Sequence, residues 1–181
     1  EYAGQNVGVV NQAAFLAATA SIRKNRAAFQ HFAAAEALLA QKQAAAAKTR
    51  AEQGLRIAPN DYVGLMLVAQ AERQSGQIGA AQQTALRAVR LYPAGARAHG
   101  MLAQCALQKK EYAAAVAHLQ VFERQVPGEP HTSFYKGLAY EGMGRKPQAA
   151  QAYRAFVRRS GTQSRAAQYA TQRLQHLTGM P

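Results

Sequence analysis

The sequence contains little cysteine, few acidic residues and no tryptophan. Cys105 is the single cysteine among 181 residues, so neither an intramolecular disulfide nor a cysteine-rich zinc cluster can form within the chain. We expect this thiol to be a small buried residue. The 9 acidic residues are spread along the sequence, which argues against paired carboxylates for general acid–base catalysis.

The histidines do not form a metal-binding motif. None of the five has the His-Glu-x-x-His spacing with which many peptidases hold zinc, and no glycine-rich phosphate loop follows a strand. The sequence therefore predicts no catalytic residue, no metal site and no cofactor. The residues concerned are His31, His99, His118, His131 and His176.

The residues that are abundant favour helix. Alanine and glutamine dominate, whereas the β-branched residues that favour strands are scarce. With 49% hydrophobic residues, the chain can bury a substantial core. We predict an all-α protein that forms one domain or one short solenoid.

The charge balance is strongly basic. There are 22 Lys and Arg against 9 Asp and Glu, which gives a net charge of +13 and a pI near 10.4. Such a chain attracts acidic proteins, anionic lipid surfaces or nucleic acid, with a strength that falls as salt rises. The charge alone does not choose among them.

The N-terminal stretch is uncharged but predicts neither a signal peptide nor a membrane span. Residues 2–22 carry no formal charge, and Ala18, Thr19 and Ala20 look like a signal-peptidase site. A signal peptide would open on basic residues, whereas this chain opens on Glu1 and polar side chains interrupt the apolar run. Because the first residue is not Met, we expect a processed chain or a piece of a longer protein. The interrupting residues are Gln5, Asn6, Asn11 and Gln12.

Four series of residues recur at intervals of 34. One series consists of prolines, two consist of small residues, and one consists of arginines, the first three of which lie three residues before the prolines. Small residues indicate close crossing of two helices. The arginines lie where cations complement a helix dipole, so a structural role is favoured. The series are Pro59, Pro93 and Pro127; Ala35, Ala69, Ala103 and Gly137; Ala47, Ala81, Ala115 and Ala149; and Arg56, Arg90, Arg124 and Arg158.

Each unit reads as a helical hairpin. The pattern runs from YVGLMLVAQAERQ through the polar break SGQIG to AAQQTALRAVRLY, and proline then stops the second helix. Candidate N-caps for the first helices are Asn60, Asp61, Thr132 and Ser133.

This pattern resembles the tetratricopeptide repeat, whose period is 34 residues. The last unit, YKGLAYEGMGRKPQAAQAYRAFV, matches best, with Gly137 and Tyr140 in its first helix and Tyr153 in its second. Departures are Lys136 where Leu is usual, Pro147 in the first turn of a helix, and Ala51 where an aromatic residue is usual. The resemblance implies a right-handed superhelical solenoid of TPR hairpins.

The register divides the chain into four units and flanking segments. The units are residues 28–61, 62–95, 96–129 and 130–163. An amphipathic helix over residues 164–178 is predicted to cap the solenoid. Residues 10–27 are predicted to form a degenerate N-terminal helix, and residues 1–9 a tail.

The resemblance also implies a binding site, because the first helices of this family form an inner wall that holds an extended or helical peptide. Gln70 and Gln104 are candidates to hydrogen-bond a peptide backbone. The alternative for Phe29, Phe32, Phe134 and Tyr135 is a place in the interior. The predicted inner wall comprises Phe29, Phe32, Glu36, Val63, Met66, Gln70, Arg73, Arg97, Met101, Gln104, His131, Phe134 and Tyr135.

One well-known branch of the family grips the carboxylates of chaperone tails with Lys and Asn residues, and that clamp is missing. Only Arg97 could serve among the matching positions, which hold Phe32, Glu36, Leu67, Arg97 and Met101. We therefore expect side-chain anchoring of an amphipathic, acidic partner segment, either from another protein or from another domain of the same full-length chain.

The leading interpretation is a non-catalytic scaffold for protein–protein interaction. The alternative is a docking or regulatory domain of a larger bacterial enzyme, such as a cell-envelope zinc metallopeptidase, which slightly favours the periplasm or cell envelope over the cytoplasm. RNA binding ranks last, because the predicted wall is apolar and lacks a regular polar code. The identity of the partner, the oligomeric state and the binding orientation do not follow from the sequence.

Overall fold

A computed structural model describes residues 7–161 and 163–179, with side chains described from residue 24 onward. The described residues form nine α-helices and contain no strand, which confirms the predicted all-α solenoid. The helices are α1 (Val7–Ala40), α2 (Ala44–Ile57), α3 (Tyr62–Gln74), α4 (Ile78–Leu91), α5 (Ala96–Gln108), α6 (Tyr112–Gln125), α7 (Pro130–Gly142), α8 (Lys146–Ser160) and α9 (Arg165–Thr178).

The helices follow the 34-residue period of the sequence. The first helices α3, α5 and α7 begin at Tyr62, Ala96 and Pro130, at intervals of 34 residues. The second helices α4, α6 and α8 begin at the same intervals. Short turns make consecutive helices antiparallel neighbours. α1 also contacts α3, α3 contacts α5, and α5 contacts α7. These first helices therefore stand side by side and form one wall.

The first helix is longer than the predicted segments. α1 runs without a break over 34 residues and joins the predicted N-terminal helix of residues 10–27 to the first helix of the first unit. Residues 9–40 contain neither proline nor glycine, so nothing in the sequence interrupts the helix. Residues 7–9 of the predicted tail belong to α1, and residues 1–6 lie outside the described residues.

Small residues occupy the places where paired helices cross. Ala47, Ala81, Ala115 and Ala149 are each 0% exposed. The alanines of the second small-residue series, which starts at Ala35, are also 0% exposed. In the last hairpin that second series holds Gly137, where an added Cβ would lie 2.5 Å from the ring of Tyr153. The buried ring therefore requires glycine at this position.

Each first helix ends in the same turn. Its last residues form a Schellman motif, in which the amide three residues past the end of the helix donates to a carbonyl five residues earlier. Gln77 donates to the carbonyl of Glu72 at 2.8 Å, and the equivalent bonds follow α1, α5 and α7. The residue inside the turn is left-handed in all four: Lys42 (φ 60°), Gly76 (76°), Lys110 (61°) and Gly144 (71°).

Of the two predicted helix starts, the structure confirms one and contradicts the other. Asp61 caps α3 as predicted, since its Oδ1 accepts from the amide of Gly64 at 2.8 Å. The prediction of Thr132 and Ser133 as caps of α7 is wrong. Pro130 starts that helix and Glu129 caps it, because proline is well suited to the first helical position.

The last helix packs on α8 and is also tied to α7. Glu141 accepts a hydrogen bond from the hydroxyl of Tyr153 at 2.8 Å and another from Nε of Arg173 at 2.8 Å. One carboxylate thus joins α7, α8 and α9. α9 occupies the segment predicted as the cap, and Ser164 is its N-cap.

Candidate functional site

An apolar pocket lies between α1 and α3, at the N-terminal end of the wall of first helices. We call it the first pocket; its volume is about 240 Å³. Phe29 and Val63 stand at its rim and are 67% and 45% exposed. Large apolar side chains that are this exposed cost solvation free energy unless a partner covers them. The lining residues are Asn25, Ala28, Phe29, Phe32, Ala33, Glu36, Ala58, Asp61, Val63 and Leu67.

Phe32 forms part of the first pocket but is itself buried. Its ring fills space left by two glycines, because a Cβ at Gly54 or Gly64 would lie 2.3 Å or 2.5 Å from the ring. The side chain therefore joins α1 to α2 and α3. Phe32 thus belongs to the hydrophobic core of this end of the chain.

A second pocket lies between α5 and α7, with contributions from α6. Its volume is about 250 Å³. Phe122 packs against Gly100, where an added Cβ would meet the ring at 3.3 Å. We call it the second pocket, and it is lined by Gly100, Gln104, Leu119, Phe122, Glu129, His131, Thr132 and Tyr135.

Glu129 and His131 are joined by hydrogen bonds at the second pocket. One carboxylate oxygen of Glu129 accepts from the backbone amide of His131 at 3.0 Å and contacts its Nδ1 at 2.8 Å. The hydrogen bonds from the side chain and backbone of His131 lower the pKa of Glu129. The carboxylate is therefore held ionised beside the pocket.

The predicted inner-wall residues divide into an exposed and a buried set. Phe29, Val63, Arg97 and His131 recur at 34-residue intervals and are all exposed. Gln70 and Gln104 are half-buried, and Gln104 lines the second pocket. Phe32, Met66 and Met101 are buried. The two methionines pack in the hydrophobic core between α3, α4 and α5, so they present little surface to a partner.

Phe134 belongs to an aromatic cluster. It is half-buried, and its ring centroid lies 5.1 Å from that of Phe156 and 6.0 Å from that of Tyr169. Its removal would disturb the packing of α8 and α9. Tyr135, by contrast, lines the second pocket.

The last predicted residue, Arg73, is half-buried near the end of α3. Its Nε is buried and has no hydrogen-bond partner among the described residues.

The four phased arginines are all exposed, each in the last turn of a second helix. This location agrees with the favourable interaction between a cation and the C-terminal end of a helix.

No reactive cluster stands out in the described part of the chain. Burial raises the pKa of Cys105, which keeps the thiol protonated and unreactive. Within the described residues, no three His, Cys, Asp or Glu side chains are grouped closely enough to hold a metal ion. No described helix combines the length and apolar character needed to cross a membrane.

A sequence model of the tetratricopeptide repeat family matches residues 67–130. This match covers α4, α5 and α6 and the junctions between the hairpins. The chain has the fold of a tetratricopeptide repeat (TPR) solenoid. No curated protein is found to match its sequence.

Solved structures support the TPR fold over most of the chain. MamA residues 41 to the end, from Desulfovibrio magneticus RS-1, superposes with a TM-score of 0.72 at 16% identity, covering 85% of this chain and 94% of that one. A TPR protein from Parabacteroides merdae ATCC 43184 gives a TM-score of 0.69 at 14% identity, covering 85% and 61%. Identities this low show the fold alone. TPR solenoids act as scaffolds for protein–protein interaction through extended concave surfaces.

Sequence reasoning missed part of the second pocket. Phe122 and Leu119 come from a second helix, whereas the inner wall was projected from first helices only. A usable signal existed, because Gly54 and Phe122 occupy equivalent positions in their units, as do Phe32 and Gly100. A phenylalanine in one helix is thus matched by a glycine in the other.

The TPR hairpin of α5 and α6 contains a histidine pair. Nδ1 of His99 lies 3.1 Å from Nδ1 of His118, and Nε2 of His99 lies 2.9 Å from the carbonyl of Pro93. Because a carbonyl only accepts, His99 donates from Nε2 and its Nδ1 accepts from His118. Burial, together with the neighbouring His99, lowers the pKa of His118. The pair is stable in its neutral form.

Proposed function

We propose that this chain, with its TPR fold, is a non-catalytic scaffold that binds an amphipathic segment of a partner protein along the wall of first helices. The observation that carries the proposal is the exposed pair Phe29 and Val63 at the rim of the first pocket. Covering a phenylalanine side chain completely is worth about 2 kcal/mol. A partner side chain seated between them would recover a large part of this free energy.

The size of the pockets supports a macromolecular partner. Volumes of about 240 Å³ and 250 Å³ are smaller than the roughly 300–1,000 Å³ typical of small-molecule sites. Each pocket suits an individual apolar side chain of a longer segment. Gln70 and Gln104 lie along the same wall, and their amides can donate to and accept from a peptide backbone.

Selection from a phage-displayed library of random 16-residue peptides tests this proposal. We expect the purified chain to enrich a family of peptides, and the double variant Phe29→Ala/Val63→Ala to retain less than a tenth of their binding. Both side chains are exposed, so circular dichroism should show unchanged helicity and thermal stability.

A matched control uses exposed apolar residues away from the pockets. Leu91 and Val126 are 42% and 38% exposed; Leu91 is the last residue of α4 and Val126 is the C-cap of α6. The double variant Leu91→Ala/Val126→Ala should bind the selected peptides as the wild type does. Failure to enrich any peptide, or equal loss in both double variants, would contradict the proposed site.

A further inference from the structure

The two pockets are built from equivalent positions of the repeat. Five lining residues of the first pocket have a counterpart exactly two repeat lengths, or 68 residues, later in the second. The cavities are therefore two copies of one feature. The pairs are Phe32 and Gly100, Glu36 and Gln104, Asp61 and Glu129, Val63 and His131, and Leu67 and Tyr135.

The same combination of residues stands at each pocket, contributed by opposite helices. In the first hairpin, Phe32 of α1 packs against Gly54 of α2. In the third hairpin, Phe122 of α6 packs against Gly100 of α5. Each combination places one aromatic ring at the crossing of a hairpin and leaves a recess towards the next first helix.

The intermediate copy of this feature is filled from within. The equivalent positions between α3 and α5 hold Met66, Gln70, Gly95, Arg97 and Met101. Tyr62 stands where the first pocket has Ala28; its hydroxyl accepts from the amide of Ala98 at 3.0 Å and would lie 2.6 Å from a Cβ at Gly95, so its ring occupies this region. A binding segment would thus meet an open pocket, a filled position and a second open pocket.

The pockets also carry a charge that differs from that of the whole chain. Glu36 and Asp61 line the first pocket and Glu129 the second, which places three of the 9 acidic residues there although the net charge is +13. Other carboxylates are engaged by cations: Glu72 with Lys48, Glu111 with Lys109, Glu123 with Lys136 and Glu141 with Arg173. The first pocket is therefore a locally acidic site.

We propose that the two pockets bind a single extended segment of a partner protein through two apolar side chains, with a Lys or Arg next to the one that enters the first pocket. The proposal rests on the proposed function and adds the spacing and charge of the partner. It replaces the acidic partner expected from the net charge by one that is basic at this anchor.

The spacing follows from helix packing. Neighbouring packed helices lie about 8–10 Å apart, so pockets that are two first helices apart are separated by roughly 20 Å. An extended chain advances about 3.3 Å per residue, which places the anchors about six residues apart. An extended segment leaves its backbone free to bond with Gln70 and Gln104, whereas a helix would satisfy its own backbone groups.

The peptides selected on the wild-type chain provide the probe. Their sequences should share two large apolar residues about six positions apart, with Lys or Arg beside the first. In synthetic copies, replacing either apolar residue by Ala should weaken binding at least tenfold by fluorescence anisotropy. Replacing the basic residue by Glu should weaken it about tenfold at low salt and less at high salt.

Three lysine variants report on the pockets separately. Glu36→Lys changes the first pocket and Gln104→Lys the second, whereas Gln83→Lys adds the same charge at an exposed position of α4 that lines neither pocket. We expect the first two to weaken binding at least tenfold, and Gln83→Lys less than threefold. In addition, Glu36→Lys should abolish the preference for a basic residue.

The outcomes separate this proposal from the proposed function. Enriched peptides with a single anchor, with anchors at helical spacing, or with acidic residues at the first anchor would overturn the two-pocket proposal and leave a groove that binds peptides. Equal sensitivity to Gln83→Lys and Glu36→Lys would also overturn it. If no peptide is enriched, both proposals fail.

Discussion

Replacing Gly144 by alanine should destabilise the chain, although the new methyl group would contact nothing. Gly144 has φ 71°, and no atom lies within 4 Å of an added Cβ. The effect must come from the backbone. A non-glycine residue in this conformation costs about 1–2 kcal/mol, offset in part by the 0.4–1 kcal/mol that alanine recovers by restricting the unfolded chain. We expect a net loss of about 1 kcal/mol.

The same substitution at Gly79 should have the opposite sign. Gly79 lies in the first turn of α4, and an added Cβ would again meet nothing within 4 Å. Alanine is favoured over glycine inside a helix by up to about 1 kcal/mol. Gly79→Ala should therefore raise the free energy of unfolding and serves as the matched control.

The repeat provides a third test of the same reasoning. Lys110 occupies the position equivalent to Gly144 and is left-handed, with φ 61°. Lys110→Gly should relieve this strain and raise stability by about 0.5 kcal/mol, after subtraction of the entropy that glycine adds to the unfolded chain.

Urea unfolding followed by circular dichroism at 222 nm measures all three variants. Midpoints should fall for Gly144→Ala and rise for Gly79→Ala and Lys110→Gly, with the slope unchanged. If Gly144→Ala and Gly79→Ala shift the midpoint in the same direction, the left-handed turn does not control stability and the argument is refuted.

Three further effects follow from the core and the cap. Gly137→Ala should cost about 1–3 kcal/mol in urea unfolding, because its Cβ would lie 2.5 Å from the buried ring of Tyr153. Tyr153→Phe should cost about 1.5 kcal/mol, since it removes a 2.8 Å bond to the Glu141 carboxylate, and hydrogen exchange should increase in α9. The free energy of unfolding should be greatest above the ordinary histidine pKa of 6.5 and fall as the pH drops through the lowered pKa of His118. The reason is that the unfolded chain binds the proton more readily than the folded chain. His118→Gln should flatten this pH dependence in thermal melts at pH 5 to 8.

Each of these has a contrary result. A wild-type midpoint for Gly137→Ala would mean that α7 and α8 are packed more loosely than described. Unchanged exchange in α9 after Tyr153→Phe would remove Glu141 as the link to the cap. A steeper pH dependence in His118→Gln would show that a group other than His118 causes the loss of stability at low pH.

Much of the fold could be predicted because its determinants are local and repeated. The small residues and prolines at 34-residue intervals predict where helices cross and end, and the helices begin with the same period. The start of α7 could not be resolved, since Pro130, Thr132 and Ser133 all suit a helix N-terminus and the choice depends on tertiary packing. The continuity of α1 could not be predicted either, because the repeat begins at residue 28 and its period carries no information about the residues before it.

The candidate site was less predictable, because it depends on helix rotation. One residue along a helix turns a side chain by about 100°, and the first helices are apolar on more than one face. Val63 and Met66 both fit an apolar inner wall in sequence, yet one is exposed and the other buried. Phe122 reaches the second pocket from another helix, which no projection of the first helices could reveal.

An NMR titration of the 19.5 kDa chain with a peptide selected on it shows directly which helices bind the partner segment. If the partner lies along the wall of first helices, the largest amide shifts will occur around Phe29, Val63 and His131, in the first helices that line the two pockets. Shifts confined to the ends of the second helices, around Arg56, Arg90, Arg124 and Arg158, would contradict it and indicate binding to the basic edge instead.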